Sequence, residues 1–272
     1  MTPSPQCRAA VLGAPISHSL SPRLHRAAYD WLGLPWRYDA IEVTAPHLRT
    51  FLSGLGPEWV GLSLTMPLKE VVLPLLDEVE PLALLTRAVN TVVIEGERKL
   101  GFNTDVDGLV DVLRQHGVRR GRSVSLLGGG ATARSAVAAL ARVGASDVTA
   151  FVRRSEAGDE LSALGADLGL AVRPRGWAQA AAGLGAEVVV ATVPAGAGDD
   201  LAAAVPGALP GTALLVDVRY DPWPTPLAAA WGRAGGDVAG GRELLVGQAV
   251  EQVRLMTGEP VPAQVLLAAL EA

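Results

Sequence analysis

Lys69 closes the stretch Gly61-Leu-Ser-Leu-Thr-Met-Pro-Leu-Lys69, in which Ser63 and Thr65 alternate with Leu62 and Leu64. On a strand, that alternation projects both hydroxyls from one face. The lysine follows Pro67 at the start of a helical pattern, where a cation opposes the helix macrodipole. It reads either as a surface side chain with its stem laid on apolar neighbours or as a general acid and base beside a hydride-transfer site. Two more polar clusters interrupt apolar sequence in the first half of the chain. In Pro15-Ile-Ser-His-Ser-Leu-Ser-Pro22, the Ser21-Pro22 pair predicts a helix start, with Ser21 as N-cap and Pro22 as the first helical residue. That leaves Ser19 over. Two hydroxyls at alternate positions beside a helix N-terminus suit a carboxylate or a polyol. The last cluster runs from Ala88-Val-Asn-Thr91 to Gly101-Phe-Asn-Thr-Asp105. Asp105 fits a first-turn acid, with Thr104 capping and Asp107 completing a capping box. It fits equally a carboxylate that orients Lys69 and a substrate hydroxyl, and spacing leaves both readings open.

The central Gly128-Gly129-Gly130-Ala131-Thr132-Ala133 supplies a different chemistry. It lies between an apolar strand-like run, 123–127, and a helical run, 133–143, which is the setting of a dinucleotide turn. Gly128 allows the tight turn, Gly130 lets backbone N–H groups approach a pyrophosphate, and Ala133 lets the helix pack on the strand. The next strand, 148–152, runs into Arg153-Arg154-Ser155 with no acid before Glu156. At that point an acid would bind the ribose hydroxyl of NAD, whereas an arginine fork suits the 2′-phosphate of NADP. The alternative is a pair of solvated arginines on a loop. The missing acid also argues against a methyltransferase.

The elements that must position these residues follow from hydrophobic periodicity. Strands are predicted over 8–12, 36–43 and 59–65, with helices over 22–32 and 68–77. A hairpin turns at Glu95-Gly96 and ends at Phe102. Beyond Thr104 the alternation is regular: helix 105–115, strand 123–127, helix 133–143, strand 147–152. Apolar strands 187–193 and 213–218 are each followed by a helical pattern, and helix 241–258 precedes a short C-terminal helix. Strand–helix alternation of this kind implies an α/β fold built on parallel sheet. The expected division is a substrate-binding domain over 1–103, a Rossmann-type dinucleotide domain over 104–239, and C-terminal helices over 240–272 that return to the first lobe.

Composition narrows the class. Hydrophobic residues make up 49% of the 272, enough for two cores, and a net charge of −5 leaves no footprint for nucleic acid. The single cysteine, Cys7, and four unclustered histidines suggest neither a disulfide nor a metal site. No run has the length of a membrane span and the first residues lack a signal pattern, so a cytoplasmic protein is expected.

Taken in order, these segments resemble the shikimate dehydrogenase family over essentially the whole chain. Residues 15–22 are similar to its N-terminal substrate motif, and 61–69 to the segment carrying its catalytic lysine. Ala88-Val-Asn-Thr91 and Asn103-Thr-Asp105 match its next substrate motifs. Asp217-Val-Arg-Tyr-Asp-Pro-Trp-Pro-Thr-Pro226 resembles its D-x-x-Y-x-P-x-x-T-P stretch, and Gly241 and Gln248 match its C-terminal helix motif. The resemblance implies Lys69 and Asp105 as the catalytic pair. It implies Ser19, Ser21, Ser63, Thr65, Asn90, Asp105 and Gln248 around the substrate's carboxylate and hydroxyls. Gln248 also stands one turn from Leu244 and Leu245, on an apolar side where an amide needs a partner. Gly128 to Ala133, Arg153, Arg154, Ser155, Val218, Tyr220 and Gly241 would hold NADP(H), and no metal is implied. The implied activity is NADP-dependent reduction of 3-dehydroshikimate to shikimate in chorismate biosynthesis, by a monomer or homodimer. A quinate/shikimate dehydrogenase of broader substrate or NAD use is the alternative enzyme of the same fold, and a non-catalytic NADPH-binding regulator that retained the fold is the alternative of another class. Ser63 stands where the family usually has Asn, Arg153 where Asn commonly precedes the cofactor arginine, Ala131 where a glycine is usual, and Leu244 where methionine is common.

Overall fold

The computed structural model describes residues 7–271 as a mixed α/β chain with two six-stranded sheets. Its contacts cluster into two units, one of the chain up to Gly108 together with Leu245 onward, the other Leu109–Leu244.

The first unit contains β1 (Arg8–Gly13), α1 (Ser21–Leu32), β2 (Arg37–Glu42), α2 (Leu48–Ser53), β3 (Trp59–Leu64) and α3 (Leu68–Val71). It continues with β4 (Glu78–Val79), α4 (Pro81–Leu85), β5 (Thr91–Glu95) and β6 (Arg98–Phe102), and α5 (Asp105–Gln115) begins in it. The sheet order is β2-β1-β3-β5-β6-β4. β1 lies parallel to β2 and β3, while β5 runs antiparallel to β3 and β6. Register places Ser63 opposite Thr91 and Thr91 opposite Phe102, so the central strands bring two of the polar clusters side by side.

Two local expectations are corrected. Ser21 is not the N-cap of α1: Leu20 occupies that position in helical geometry, at φ −86° and ψ −7°, and no side chain caps the helix. Arg23 N–H already bonds Leu20 C=O, so the helix starts one residue earlier, and Ser21 N–H points at Ser19 Oγ, 3.3 Å away. The helix expected over 68–77 stops after four residues and gives way to a 3-10 turn, Leu73–Leu75. Pro74 sits inside that turn, and lacking an N–H it cannot carry an α-helical ladder onward.

The second unit is a parallel sheet: β7 (Val124–Leu127), β8 (Asp147–Val152), β9 (Ala171–Gly176), β10 (Val188–Ala191), β11 (Leu214–Asp217) and β12 (Asp237–Gly240). Its order, β12-β11-β10-β7-β8-β9, is that of a doubly wound dinucleotide fold, with the switch point between β7 and β10. Helices α6 (Ala131–Arg142), α7 (Ser155–Asp167) and α8 (Pro226–Arg233) follow β7, β8 and β11. After β10 the expected helix is a 3-10 turn, Asp199–Ala204. β7, β10 and β11 are buried at every position, which is what helices on both faces require of a parallel strand. The chain returns to the first unit along α9 (Gly241–Thr257) and ends in α10 (Ala263–Glu271). There Leu24 and Ala28 of α1 form a core cluster with Val246, Ala249 and Val253 of α9 and Leu266 and Leu270 of α10.

In the second unit, His116 has Nδ1 2.6 Å from Asp237 Oδ2 and Nε2 2.9 Å from Glu243 Oε2. Partial burial disfavours the charged ring, but the two carboxylates outweigh it and raise its pKa above the usual 6.5. A raised folded-state pKa contributes stability that is fully present below 6.5 and lost as pH rises through the raised value. His116→Gln is therefore expected to lower the urea midpoint most below pH 6.5, with the two proteins converging at alkaline pH. A deficit of equal size at every pH would contradict this.

Candidate active site

α5 starts at Asp105 directly after β6, which delivers the carboxylate to the end of the first unit's sheet. Lys69 lies on the short α3 after β3, and its Nζ stands 2.5 Å from Asp105 Oδ2. Side-chain exposure is 15% for the lysine and 7% for the aspartate, so the pair is largely withdrawn from water. This excludes the reading of Lys69 as a solvated surface cation.

Asn90 stands at the centre of the site, 1% exposed. Its Nδ2 donates to Asp105 Oδ1 at 2.8 Å, to Thr104 Oγ1 at 3.0 Å and to Gln248 Oε1 at 3.4 Å. Its Oδ1 accepts from Thr91 Oγ1 at 2.8 Å and from Thr104 N–H at 2.9 Å. The Thr104 hydroxyl, expected as a helix cap, faces Asn90 as well, 3.2 Å from Oδ1. Gln248 on α9 is 7% exposed and anchored through Nε2 to Leu245 C=O at 2.8 Å. Lys69, Asp105, Asn90 and Gln248 thus form one connected group in the first unit.

Ser63 is buried, and its hydroxyl works inside the protein. It accepts from Tyr38 Oη at 2.6 Å and donates to Gln252 Oε1 at 2.8 Å. Burial raises the Tyr38 phenol well above its usual pKa, with the Ser63 hydrogen bond opposing, so the phenol stays a donor. A hydroxyl has one proton, so Ser63 has only acceptor capacity left for any ligand. Thr65 is half-buried, its N–H bonded to Leu12 C=O. Ser19 precedes α1 and Ser21 is its first residue, the two joined by the bond from Ser21 N–H to Ser19 Oγ.

In the second unit the glycine turn has a distinct reason at each position. Gly128 has φ +119°, and a Cβ there would stand 2.5 Å from Thr192 Oγ1. A Cβ on Gly129 would press on Ala157 Cβ at 2.9 Å, whereas one on Gly130 would meet nothing within 4 Å. Gly130 therefore faces open space at the N-terminus of α6, and the helix begins at Ala131, so Ala131, Thr132 and Ala133 form its first turn. Glycine backbone facing open space at the start of a twelve-residue helix fits a pyrophosphate. Arg153, Arg154 and Ser155 follow β8 and are all exposed. Farther along, Gly241 has a packing role: its N–H bonds Arg219 C=O, and a Cβ would lie 2.2 Å from Val218 O. Val218 and Tyr220 flank Arg219 and are half-buried, following Asp217, whose buried carboxylate accepts from Thr225 Oγ1 at 2.7 Å and Arg219 N–H at 3.1 Å.

Residues 11–92 match the family model for the shikimate dehydrogenase substrate-binding domain, and 241–271 match the shikimate 5′-dehydrogenase C-terminal domain. A shikimate dehydrogenase (NADP(+)) of Citrifermentans bemidjiense is 39% identical, over 97% of this chain and 94% of that protein. This chain belongs to the shikimate dehydrogenase family. Among solved structures, shikimate dehydrogenase of Mycobacterium tuberculosis is 42% identical with a TM-score of 0.88, covering 97% of this chain and 99% of that one. Shikimate 5-dehydrogenase of Thermus thermophilus, solved in complex with NADP(H) and shikimate, is 29% identical with a TM-score of 0.83, covering 98% of this chain and 99% of that one. Within this shikimate dehydrogenase family member, Ser19, Ser21, Ser63, Thr65, Lys69 and Asn90 fall in the matched 11–92 segment, and Gly241 and Gln248 in 241–271.

Motif reasoning missed Gln252, which is 1% exposed and bonds Ser63, His25, Asn90 C=O and Thr91. The signal was present: Gln252 stands four residues after Gln248, hence on the same helix face. His25 and Tyr38, whose rings stack at 3.9 Å, carried no such signal. They come from separate elements, α1 and β2.

Proposed function

We propose that this chain catalyses NADP-dependent interconversion of shikimate and 3-dehydroshikimate. The observation that carries it is the half-buried Lys69–Asp105 pair, 2.5 Å apart and surrounded by amides and hydroxyls. The chemistry a bound NADPH supplies is hydride for the ring carbonyl carbon, and the chain provides the rest. Lys69 presents an N–H to the carbonyl oxygen, stabilises the negative charge that grows there and delivers the proton. In the other direction, neutral Lys69 takes the proton from the ring hydroxyl. Asp105 holds the lysine in place through Oδ2 while Asn90 fixes its other oxygen. Ser19 and Ser21 receive the carboxylate, and Thr65, Asn90 and Gln248 receive hydroxyls. Ser63 contributes as an acceptor. Gly128 to Ala133 cradle the pyrophosphate, Arg153, Arg154 and Ser155 bind the 2′-phosphate, and Val218, Tyr220 and Gly241 lie along the nicotinamide.

The test is absorbance at the reduced nicotinamide band with shikimate or quinate, each offered with NADP or NAD. Rapid reduction of NADP by shikimate, and slow reaction in the other three mixtures, is expected. Comparable rates with quinate or with NAD would move the protein to the broader quinate/shikimate class. No reduction in any mixture would leave an NADPH-binding regulator.

A further inference from the structure

The polar interior of the first unit is a directed chain of hydrogen bonds, and its direction is fixed by two backbone groups. Gln252 Nε2 lies 3.2 Å from Asn90 C=O, which can only accept, so the amide nitrogen of Gln252 is assigned to that side. Thr104 N–H, which can only donate, lies 2.9 Å from Asn90 Oδ1, and this fixes the second amide. The links that join these two amides to His25 and Asp105 then follow. Gln252 Oε1 is an acceptor, so His25, 3.1 Å away, carries its proton on Nε2. Gln252 Nε2 donates to Thr91 Oγ1 at 3.0 Å, which leaves the Thr91 proton for Asn90 Oδ1 at 2.8 Å. Asn90 Nδ2 donates to Asp105 Oδ1 at 2.8 Å, and Lys69 donates to Asp105 Oδ2.

We propose that His25, Gln252 and Thr91 are positioning residues whose one-way series of hydrogen bonds locks the Asp105 carboxylate, and through it Lys69, in the geometry for proton transfer. This rests on the acid–base assignment of Lys69 and Asp105 and goes beyond it: three residues that touch neither reacting group set the rate. Every donor in the series points toward Asp105, so the dipoles add at the carboxylate. Burial supports the arrangement. His25, Thr91, Asn90 and Gln252 are all at or below 1% exposure, so no water competes for their protons. Desolvation holds the His25 imidazole neutral, its pKa pushed down to about 4 against the Gln252 hydrogen bond, and a neutral ring keeps the single-tautomer donor role at working pH. The direction does not reverse, because Asn90 C=O fixes the Gln252 amide and Thr104 N–H fixes the Asn90 amide.

Thr91→Val against Thr91→Ser, in the full-length protein with shikimate and NADP, is the test. Valine keeps the shape and removes the middle link; serine keeps the hydroxyl. Valine is expected to lower kcat about tenfold, the rate equivalent of roughly one net hydrogen bond, with KM for shikimate changed less than about twofold. Serine is expected to recover most of kcat. Wild-type kcat in Thr91→Val, a loss that serine does not recover, or a loss that falls on KM would each overturn the proposal. Should Thr91→Val fail to fold, His25→Gln against His25→Phe makes the same comparison, because only glutamine can still donate to Gln252. Equal kcat in those two would overturn it. Lys69→Ala run in parallel separates the two levels. Wild-type turnover there removes the acid–base assignment itself, whereas a crippled Lys69→Ala beside an unaffected Thr91→Val removes only the positioning chain.

Discussion

Lys69→Ala is expected to lower kcat for shikimate oxidation by roughly a hundredfold or more, with KM for shikimate nearly unchanged. A hundredfold corresponds to about 2.7 kcal/mol of lost transition-state stabilisation. The reason is geometric. The ammonium is 2.5 Å from Asp105 Oδ2, so it is aimed by a partner that is itself held by Asn90. Alanine removes both the proton donor and the positive charge that faces the developing oxyanion, interactions that strengthen only as hydride moves. Asp105 Oδ1 keeps its bond from Asn90, and the 7% exposed carboxylate is left to find water for Oδ2. A modest stability loss should therefore accompany the rate loss, and a thermal melt beside the kinetics separates them. A rise in KM at unchanged kcat would make Lys69 a binding residue and not an acid.

Replacing Arg153 and Arg154 together with alanine is expected to raise KM for NADP by roughly one to two orders of magnitude while leaving KM for NAD little altered. Charge-assisted hydrogen bonds to a phosphate each stabilise by about 1.5–3 kcal/mol. Both side chains are exposed just past the C-terminal end of β8, in a parallel sheet whose strand order is that of a dinucleotide fold. Exposure makes the contribution screenable, so the NADP preference of the unaltered protein should also shrink as salt rises. Equal loss for both nucleotides would mean that the arginines support the loop and not the phosphate.

Much of this was legible in the sequence. The strand–helix alternation announced the parallel sheet because fully covered strands read as apolar runs, such as Val188–Ala191 and the Leu-Leu-Val that opens β11. The α5 helix and the β8 strand were read to their end residues, since Asp105 opens one and the apolar run to Val152 closes the other. The short α2, the four-residue α3 and the 3-10 turns were not, because elements of one turn carry no period to recognise. Ser21 looked like a cap, but its neighbour Leu20 already adopts helical angles, and a cap is a matter of backbone angle as well as residue type.

Residue types and their order along the chain determined by themselves that a lysine, an aspartate and a set of hydroxyls and amides accompany a nucleotide-binding turn, and with them the family. Those facts are local: each motif is a few residues long, and its chemistry is written in its side chains. Which of those groups touch, and which way each proton points, only the tertiary structure decided. Asn90, Asp105, Thr91 and Gln252 lie on β5, α5 and α9 or at their ends, and a hydrogen bond's direction depends on what the far partner can give. The same holds for Ser63. The resemblance sets it beside the substrate, and folding places Gln252 where it takes the hydroxyl proton.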